Sequence, residues 1–251
     1  MALQEEFEKQ GNWLFRYRGV LPLIPLVIGI LLYIRTELYP ETFILEGTAY
    51  EIYYETFALL ISLFGLFIRI YTVGYTPGNT SGRNTAEGQV AESLNTTGMY
   101  SMVRHPLYLG NFFMWLGPAM LTGNLWFLII FCLFYWIYYE RIMFAEEQFL
   151  RKKFQSRFTD WAANVPAFFP RLRNFEKPLL PFSWKKVLKK EKNGFTAVFL
   201  VFLLFDVTGN LIDHTATYNY FLIAGCIISL LLYAVLKFLK YKTKVLDEEG
   251  R

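Results

Sequence analysis

The segment at residues 99–110 reads MYSMVRHPLYLG and lies where a polar stretch of the chain meets a long apolar run. Pro106 suits the first turn of a helix, because the N–H that proline lacks would have no partner there. Arg104 and His105 then lie beside the unpaired N–H groups at the positive end of that helix. Charged side chains at the mouth of an apolar helix are costly unless they bind something. The segment therefore predicts either a functional site or an interfacial helix cap with a snorkelling arginine.

The composition of the chain is that of a membrane protein. Of its 251 residues, 54% are hydrophobic, 19% are aromatic and only 18% are charged. This apolar fraction exceeds that of a soluble domain, so we take the bilayer as the solvent. The net charge of +4 is modest, and we expect no nucleic-acid partner. Cys132 and Cys226 lie in apolar runs, so we expect packing roles, with no disulfide framework and no metal site.

Six apolar runs predict an all-α, polytopic integral membrane bundle with about six transmembrane helices. The expected spans lie near residues 19–34, 52–73, 107–122, 125–139, 194–212 and 219–236. The third and fourth spans form a helical hairpin over residues 107–139, and Gly117-Pro118 is expected to break its first arm. At about 1.5 Å per residue, each arm is shorter than the apolar bilayer core of about 30 Å. We therefore expect the second arm to continue beyond the membrane.

An amphipathic helix is predicted from Glu140 to about Val165, after the hairpin. Its apolar face is formed by residues at spacings of three and four, namely Leu150, Phe154, Phe158, Trp161 and Val165. Pro166 and Pro170 end it. A basic linker with five lysines within residues 185–192 follows, which we expect to contact anionic lipid as a topology anchor.

The chain is expected to have three parts. Residues 1–49 hold a polar lead and the first transmembrane helix, and residues 50–175 form a core around the polar loop and the hairpin. Residues 176–251 hold the basic linker, two transmembrane helices and a tail. With six crossings, both termini lie on the side that carries nearly all Lys and Arg residues, with Arg35 as the exception. The positive-inside rule makes that side cytoplasmic.

Three polar blocks are expected to meet on the cytoplasmic face. The first runs from Arg104 to Gly110, the second contains Glu146 and Glu147, and the third covers residues 165–170. Because the two arms of a hairpin are antiparallel neighbours, the start of the first arm lies beside the end of the second. A carboxylate pair beside Arg and His can hold a cationic or hydroxyl-bearing ligand. An interfacial salt-bridge cluster is the alternative that spacing alone leaves open.

The ordered blocks resemble the isoprenylcysteine carboxyl methyltransferase family of membrane methyltransferases, which is related to the phospholipid methyltransferases. The matching motifs are R-H-P-x-Y-x-G at residues 104–110, E-E-x-x-L at 146–150, V-P at 165–166 and F-F-P at 168–170. Arg69 with Gly74 resembles an upstream pattern of the family, and the likeness covers about residues 60–172. Phe158 and Trp161 stand where the family has tyrosines, so any hydroxyl role at these two positions is absent.

The resemblance implies that S-adenosylmethionine binds in a pocket formed by these blocks, and that a lipid acceptor enters laterally from the bilayer. The cofactor contacts that it implies are His105, Tyr108, Gly110, Glu146, Glu147, Pro166, Phe168 and Pro170. We expect Arg104 and Glu147 to be catalytic, and Arg69, Arg83 and Arg104 to bind the acceptor. A sulfonium donor is already activated, so aligning donor and acceptor does most of the catalytic work.

The loop at residues 76–85 reads TPGNTSGRNT and surrounds Arg83 with hydroxyl and amide donors. This composition suits a phosphate, although a solvated loop would have a similar composition. We therefore expect a lipid phosphate as the acceptor, with a prenylcysteine carboxylate next. A phospholipid amine N-methyltransferase is the alternative within the class. A sterol-reductase-like oxidoreductase and a non-enzymatic membrane scaffold are the alternatives outside it.

Overall fold

The structure is a computed structural model that describes residues 2–45, 47–78, 80, 83–85, 88–214 and 217–250, with the backbone alone at 83–85 and 88–90. In these residues the helices are α1 (Leu3–Tyr17), α2 (Leu23–Leu38), α3 (Glu51–Tyr75), α4 (Met99–Met102), α5 (Pro106–Leu121), α6 (Leu125–Phe154), α7 (Ser156–Asn164), α8 (Trp184–Ile212) and α9 (Tyr220–Lys242). Two three-residue strands, β1 (Arg83–Thr85) and β2 (Gly88–Val90), form an antiparallel hairpin.

The protein is an all-α polytopic membrane protein, as the sequence predicts. In the described part of the chain, α3, α6, α8 and α9 are long and apolar enough to cross a bilayer. Helices α2 and α5 have 16 residues each, which at about 1.5 Å per residue is shorter than the apolar core. Apolar side chains such as Ile227, Leu231 and Phe238 of α9 point outward, as they do on a lipid-facing surface. The count of six crossings stays a prediction.

The hairpin follows the sequence prediction at the start of each arm and departs from it within the first arm. His105 is the N-cap residue of α5 and Pro106 occupies its first turn. Asn124 starts α6 by accepting a hydrogen bond from the Phe127 N–H at 2.9 Å. The predicted break at Gly117-Pro118 is wrong, because α5 continues through Pro118 to Leu121. Helix α6 extends over 30 residues, well beyond its apolar part.

The predicted amphipathic helix after the hairpin is two helices. Gln155, with a φ of 48°, ends α6, and α7 begins at Ser156. The turn brings Phe158 into full burial. The polar lead at the N-terminus is also helical and forms α1. This helix packs along α6 and places Phe15 in the core.

The prediction of a linker at residues 185–192 is wrong, because these residues form the first turns of α8. Ser183 caps the helix by accepting a hydrogen bond from the Lys186 N–H at 3.1 Å. The five lysines of this segment therefore have helical spacing, with Lys185 and Lys190 exposed and Lys192 buried.

Close packing between α3 and α5 sets the position of the predicted site. A Cβ atom on Gly65 would collide with the carbonyl oxygen of Gly110, and a Cβ atom on Gly110 would meet Arg69. Small residues at such a crossing let two membrane helices approach closely. Arg69 of α3 consequently lies beside the first turns of α5, directly after Arg104 and His105.

Candidate active site

A cavity of about 820 Å³ lies between α3, α5, α6 and α8, near the ends that carry the polar motifs. This volume is within the range of about 300–1,000 Å³ typical of small-molecule sites. The predicted site residues on its wall are Arg69, Arg104, His105, Tyr108 and Glu146. Its opposite end has apolar lining from Met114, Trp115, Pro118, Val198 and Val201. The cavity is therefore amphipathic.

Glu147 joins the two residues that precede α5. Its Oε1 atom accepts a hydrogen bond from Arg104 Nε at 2.8 Å and from His105 Nε2 at 2.9 Å. Because Glu147 lies on α6, these contacts connect the two arms of the hairpin. The prediction that the Arg-His-Pro block meets the glutamate pair is confirmed.

Glu146 faces the cavity together with Tyr108. The Tyr108 hydroxyl donates to Glu146 Oε2 at 2.9 Å, and His105 Nδ1 lies 3.7 Å from the same oxygen. The His105 and Tyr108 rings stack, with their centroids 5.6 Å apart. His105 is thereby held between the two glutamates, with Nε2 towards Glu147 and Nδ1 towards Glu146.

Arg104 also holds the third polar block in place. Its Nη1 atom donates to the carbonyl oxygens of Ala162 at 2.7 Å and Val165 at 3.0 Å. Its backbone N–H donates to the carbonyl oxygen of Pro166 at 2.9 Å. An arginine satisfies several acceptors at once because its guanidinium carries five donors in a fixed plane. Arg104 thus connects the Val-Pro segment to the start of α5 and to Glu147.

The remaining predicted cofactor residues lie in packed or exposed surroundings. Phe168 is buried and packs edge-on against Phe112 and Trp136. Pro170 is exposed, and Gly110 lies against Gly65 and Arg69. These positions give packing reasons for Phe168 and Gly110, while their expected contacts with a cofactor stay predictions.

Tyr100 and Trp161 add aromatic lining that sequence reasoning did not include among the site residues. Trp161 Nε1 donates to the Tyr100 carbonyl oxygen at 3.1 Å, so the tryptophan has a polar partner of its own at a family tyrosine position. Burial, with a smaller contribution from the Glu146 carboxylate, raises the pKa of the Tyr100 phenol above its ordinary value. Tyr100 therefore stays a neutral hydroxyl at physiological pH.

Arg69 is held by a residue far along the chain. Its Nε and Nη2 atoms donate to the two carboxylate oxygens of Glu191 at 2.7 and 2.9 Å, and Nη1 donates to Asn111 Oδ1 at 2.7 Å. Glu191 is only 4% exposed. This two-pronged geometry is the strongest form of an arginine–carboxylate contact. Sequence reasoning missed Glu191 because it assigned residue 191 to a linker.

One face of α8 forms a wall of the cavity. The lining residues from this helix are Lys186, Lys189, Lys190, Glu191, Asn193, Gly194, Ala197, Val198 and Val201. Most of them recur at spacings of three and four, which puts them on one helical face. The same periodicity is visible in the sequence once α8 is extended back to Trp184, so the signal was available. The Arg83 side chain lies outside the described part of the structure, and its expected role stays a prediction.

Part of the chain that lines this cavity is similar to known proteins. Residues 54–157 match the phospholipid methyltransferase family. The phospholipid methyltransferase match contains Arg69, Arg104, His105, Tyr108 and the glutamate pair, while α8 and α9 lie beyond it. The resemblance to membrane methyltransferases inferred from the motifs is confirmed.

Three curated relatives match parts of the chain. The nickel-cobalt-cadmium resistance protein NccN of Alcaligenes xylosoxydans xylosoxydans is 39% identical over 88 residues, 35% of this chain and 41% of that protein. The cobalt-zinc-cadmium resistance protein CzcN of Cupriavidus metallidurans is 34% identical over 116 residues, 45% and 50% of the two chains. The protein-S-isoprenylcysteine O-methyltransferase of Schizosaccharomyces pombe is 30% identical over 118 residues, 47% and 50%.

The chain thus spans about half the length, or less, of the curated relatives it matches. No solved structure is significantly similar to it. Within the described residues, no group of three or more His, Cys, Asp or Glu side chains is placed to hold a metal ion.

Proposed function

We propose that this protein transfers a methyl group from S-adenosylmethionine to a lipid-borne acceptor with an anionic head group. The observation that carries the proposal is the amphipathic cavity next to the phospholipid methyltransferase motifs. Its polar end contains His105, Tyr108 and Glu146, and its apolar end lies between Trp115 of α5 and Val201 of α8. A lipid has the same division into a polar head and an apolar chain. Lateral entry from the bilayer is part of this proposal.

The residues at the polar end fit a methyl donor of this kind. The Glu146 carboxylate can accept hydrogen bonds from an amino group or a ribose hydroxyl. The rings of Tyr100, Tyr108 and Trp161 on the cavity wall can stack on adenine and attract a sulfonium cation. When bound, S-adenosylmethionine supplies an activated methyl group on a positively charged sulfur.

The protein's own residues then have to align the acceptor and exclude water. Glu147 and Arg104 act in this proposal as positioning residues, because their hydrogen bonds fix His105 and the Val-Pro segment. An anionic oxygen acceptor needs no general base. The order of acceptors stays as the sequence predicts, with a lipid phosphate before a prenylcysteine carboxylate.

A phospholipid amine is the second candidate acceptor. It is favoured by the description of the matching family and by the Glu146 carboxylate on the cavity wall. An amine must lose a proton to be methylated, and a carboxylate beside it can accept that proton. Mass analysis of the product separates the two candidates, because an amine and a phosphate head group give different methylated fragments.

We also propose that the cavity opens to the cytoplasm and that both termini lie on that side. The support is the one-sided distribution of Lys and Arg residues, with Arg35 near the end of α2 as the exception. The basic first turns of α8 and the α6 extension belong to the same side in this arrangement.

The decisive experiment incubates the purified protein with labelled S-adenosylmethionine and a lipid extract of its native membrane. We expect donor binding by calorimetry and a lipid that gains one methyl group by mass spectrometry. Binding of a nicotinamide cofactor in place of the methyl donor would favour a reductase. Binding of neither cofactor, in a sample that elutes as a folded protein, would favour a non-enzymatic scaffold and overturn the proposal.

A further inference from the structure

The basic wall of the cavity comes from a part of the chain that the family match does not cover. Lys186, Lys189 and Lys190 lie on the cavity wall in the first turns of α8, beyond the matched residues 54–157. Lys186 Nζ donates to the carbonyl oxygens of Thr76 and Pro77, which fixes the start of α8 against the end of α3. The wall is therefore a built part of the cavity.

Polarity along this wall changes in the order that a lipid requires. After Lys190 comes Glu191, whose charge is paired with Arg69. Asn193 and Gly194 follow, and then Ala197 and Val201, all lining the same cavity. One helix thus offers ammonium groups at one end and apolar side chains about two to three turns further on. Lysine is a good partner for phosphate as a point charge. A lipid with an anionic head and its chain along α8 matches this sequence of groups.

The wall already holds anionic groups of the same chain. The segment after α9 folds back so that Asp247 Oδ1 lies 2.6 Å from Lys189 Nζ, and the Ser183 hydroxyl donates to the Glu248 carboxylate. Leu246 is buried and anchors this segment, and Glu248 lines the cavity. The hydrogen bond from Lys189 holds the pKa of Asp247 below its ordinary value, so Asp247 stays charged. Two carboxylates of the tail thus lie where an anionic head group would meet α8.

We propose that Lys189 and Lys190 of α8 bind the anionic head group of the lipid acceptor, and that Asp247 of the C-terminal tail competes for the same site. This inference rests on the proposed function, since it names the acceptor site of that reaction. The acceptor chemistry is a phosphate or carboxylate on a lipid, and binding displaces Asp247 from Lys189. The proposal thus assigns the head group to α8, whereas the sequence assigned it to Arg83.

The test measures binding of short-chain phosphatidic acid to the full chain in neutral detergent, by native mass spectrometry or calorimetry. We expect Lys189→Ala and Lys190→Ala each to weaken binding roughly three- to tenfold, the range for a partly exposed charged contact. Lys185→Ala is the matched control, because Lys185 is an exposed lysine about one turn earlier on α8 and is not among the residues that line the cavity. It should bind as the wild type does.

The proposed competition by Asp247 predicts a variant with higher lipid affinity. Asp247→Asn should strengthen binding of phosphatidic acid about twofold or more, because Lys189 loses its internal competitor. A merely structural role of Asp247 would give no gain. Phosphatidylcholine and inorganic phosphate are the comparison probes, and both should bind more weakly than phosphatidic acid.

Several outcomes would overturn the inference. One is that the Lys189 and Lys190 variants bind phosphatidic acid as tightly as the wild type, and another is that Lys185→Ala loses as much affinity as they do. The inference also fails if Asp247→Asn gains no affinity, or if inorganic phosphate binds as tightly as the lipid. Calorimetry with S-adenosylmethionine on the same samples keeps the two proposals apart. Donor binding with unchanged lipid affinity in the variants rejects the α8 site alone, whereas absent donor binding rejects the proposed function.

Discussion

Arg69 in α3 and Glu191 in α8 form a two-pronged ion pair, with N–O distances of 2.7 and 2.9 Å, on the wall of the cavity. Arg69 belongs to the part of the chain that matches the phospholipid methyltransferases, and Glu191 lies beyond it. The pair is largely buried, with exposed side-chain fractions of 21% and 4%. Helix α8 is therefore tied to the core at the wall of the cavity.

Breaking this pair from one side should destabilise the protein strongly. Glu191→Ala leaves the Arg69 charge buried with Asn111 as its remaining described partner, and we expect a loss of about 3 kcal/mol in the free energy of unfolding. Thermal unfolding in detergent measures the loss. The matched control is Glu249→Gln, an exposed carboxylate of the tail, which should change little. The double variant Arg69→Met with Glu191→Leu should regain most of the stability. Equal stability of Glu191→Ala and the control would contradict the prediction.

Removing the Tyr108 hydroxyl should weaken donor binding without disturbing the helices. Tyr108→Phe deletes the hydrogen bond to Glu146 at 2.9 Å and keeps the ring that stacks on His105. We expect S-adenosylmethionine affinity to fall about five- to thirtyfold, which corresponds to about 1–2 kcal/mol. Calorimetry is the measurement. His105→Ala should have at least as large an effect, because it removes the group between the two glutamates.

Tyr138→Phe is the matched control for that experiment. Tyr138 is a buried tyrosine of α6 whose hydroxyl donates to the Leu14 carbonyl oxygen at 3.4 Å, towards α1. Its variant should bind the donor as the wild type does. An unchanged affinity in both Tyr108→Phe and His105→Ala would remove this part of the cavity as the donor site.

Arg104 should be needed for the order of the segment after α6. Arg104→Ala removes the bonds to the carbonyl oxygens of Ala162 and Val165 and leaves His105 as the remaining described partner of Glu147. We expect faster hydrogen exchange over residues 156–170 and a loss of methyl transfer. Arg104→Lys should recover part of both, because one ammonium cannot replace a planar fork of donors. Normal exchange with lost activity would mean that Arg104 acts on the acceptor directly, as the sequence first suggested.

Arg83 offers a separate test of the loop hypothesis. If Arg83 and its neighbours hold a lipid phosphate, Arg83→Ala should lower acceptor binding roughly ten- to a hundredfold while donor affinity survives. Arg83→Lys should recover only part of it. The measurement is turnover with labelled donor and native lipid extract. Wild-type turnover in Arg83→Ala, together with a loss in Lys190→Ala, would assign the head group to α8.

The orientation in the membrane can be checked by labelling. In a variant without Cys132 and Cys226, His214→Cys between α8 and α9 should react only from the outer side. Lys177→Cys, on the exposed segment before α8, should react only from the cytoplasmic side. Reaction of position 214 from the cytoplasm alone would reverse the assigned topology, which depends on the positive-inside rule.

The sequence by itself determined the membrane class, the helical hairpin and the meeting of Arg104, His105 and Tyr108 with the glutamate pair. These inferences succeed because they depend on local patterns. Apolar run length sets a span, proline sets a helix start, and the arms of a hairpin must be neighbours. The motif order then carries the resemblance to membrane methyltransferases.

Only the tertiary structure decided which distant residues complete the site. Glu191 pairs with Arg69 across 122 positions of the chain. Asp247, which follows α9 in the sequence, pairs with Lys189 near the start of α8. Local sequence patterns do not specify such pairings. The pairings depend on how the helices pack against each other, whereas local patterns specify only where each helix forms. The lysines before residue 193 illustrate the difference. As a charge run they indicate a linker at the membrane surface. In the first turns of α8, Lys186, Lys189 and Lys190 instead line a cavity.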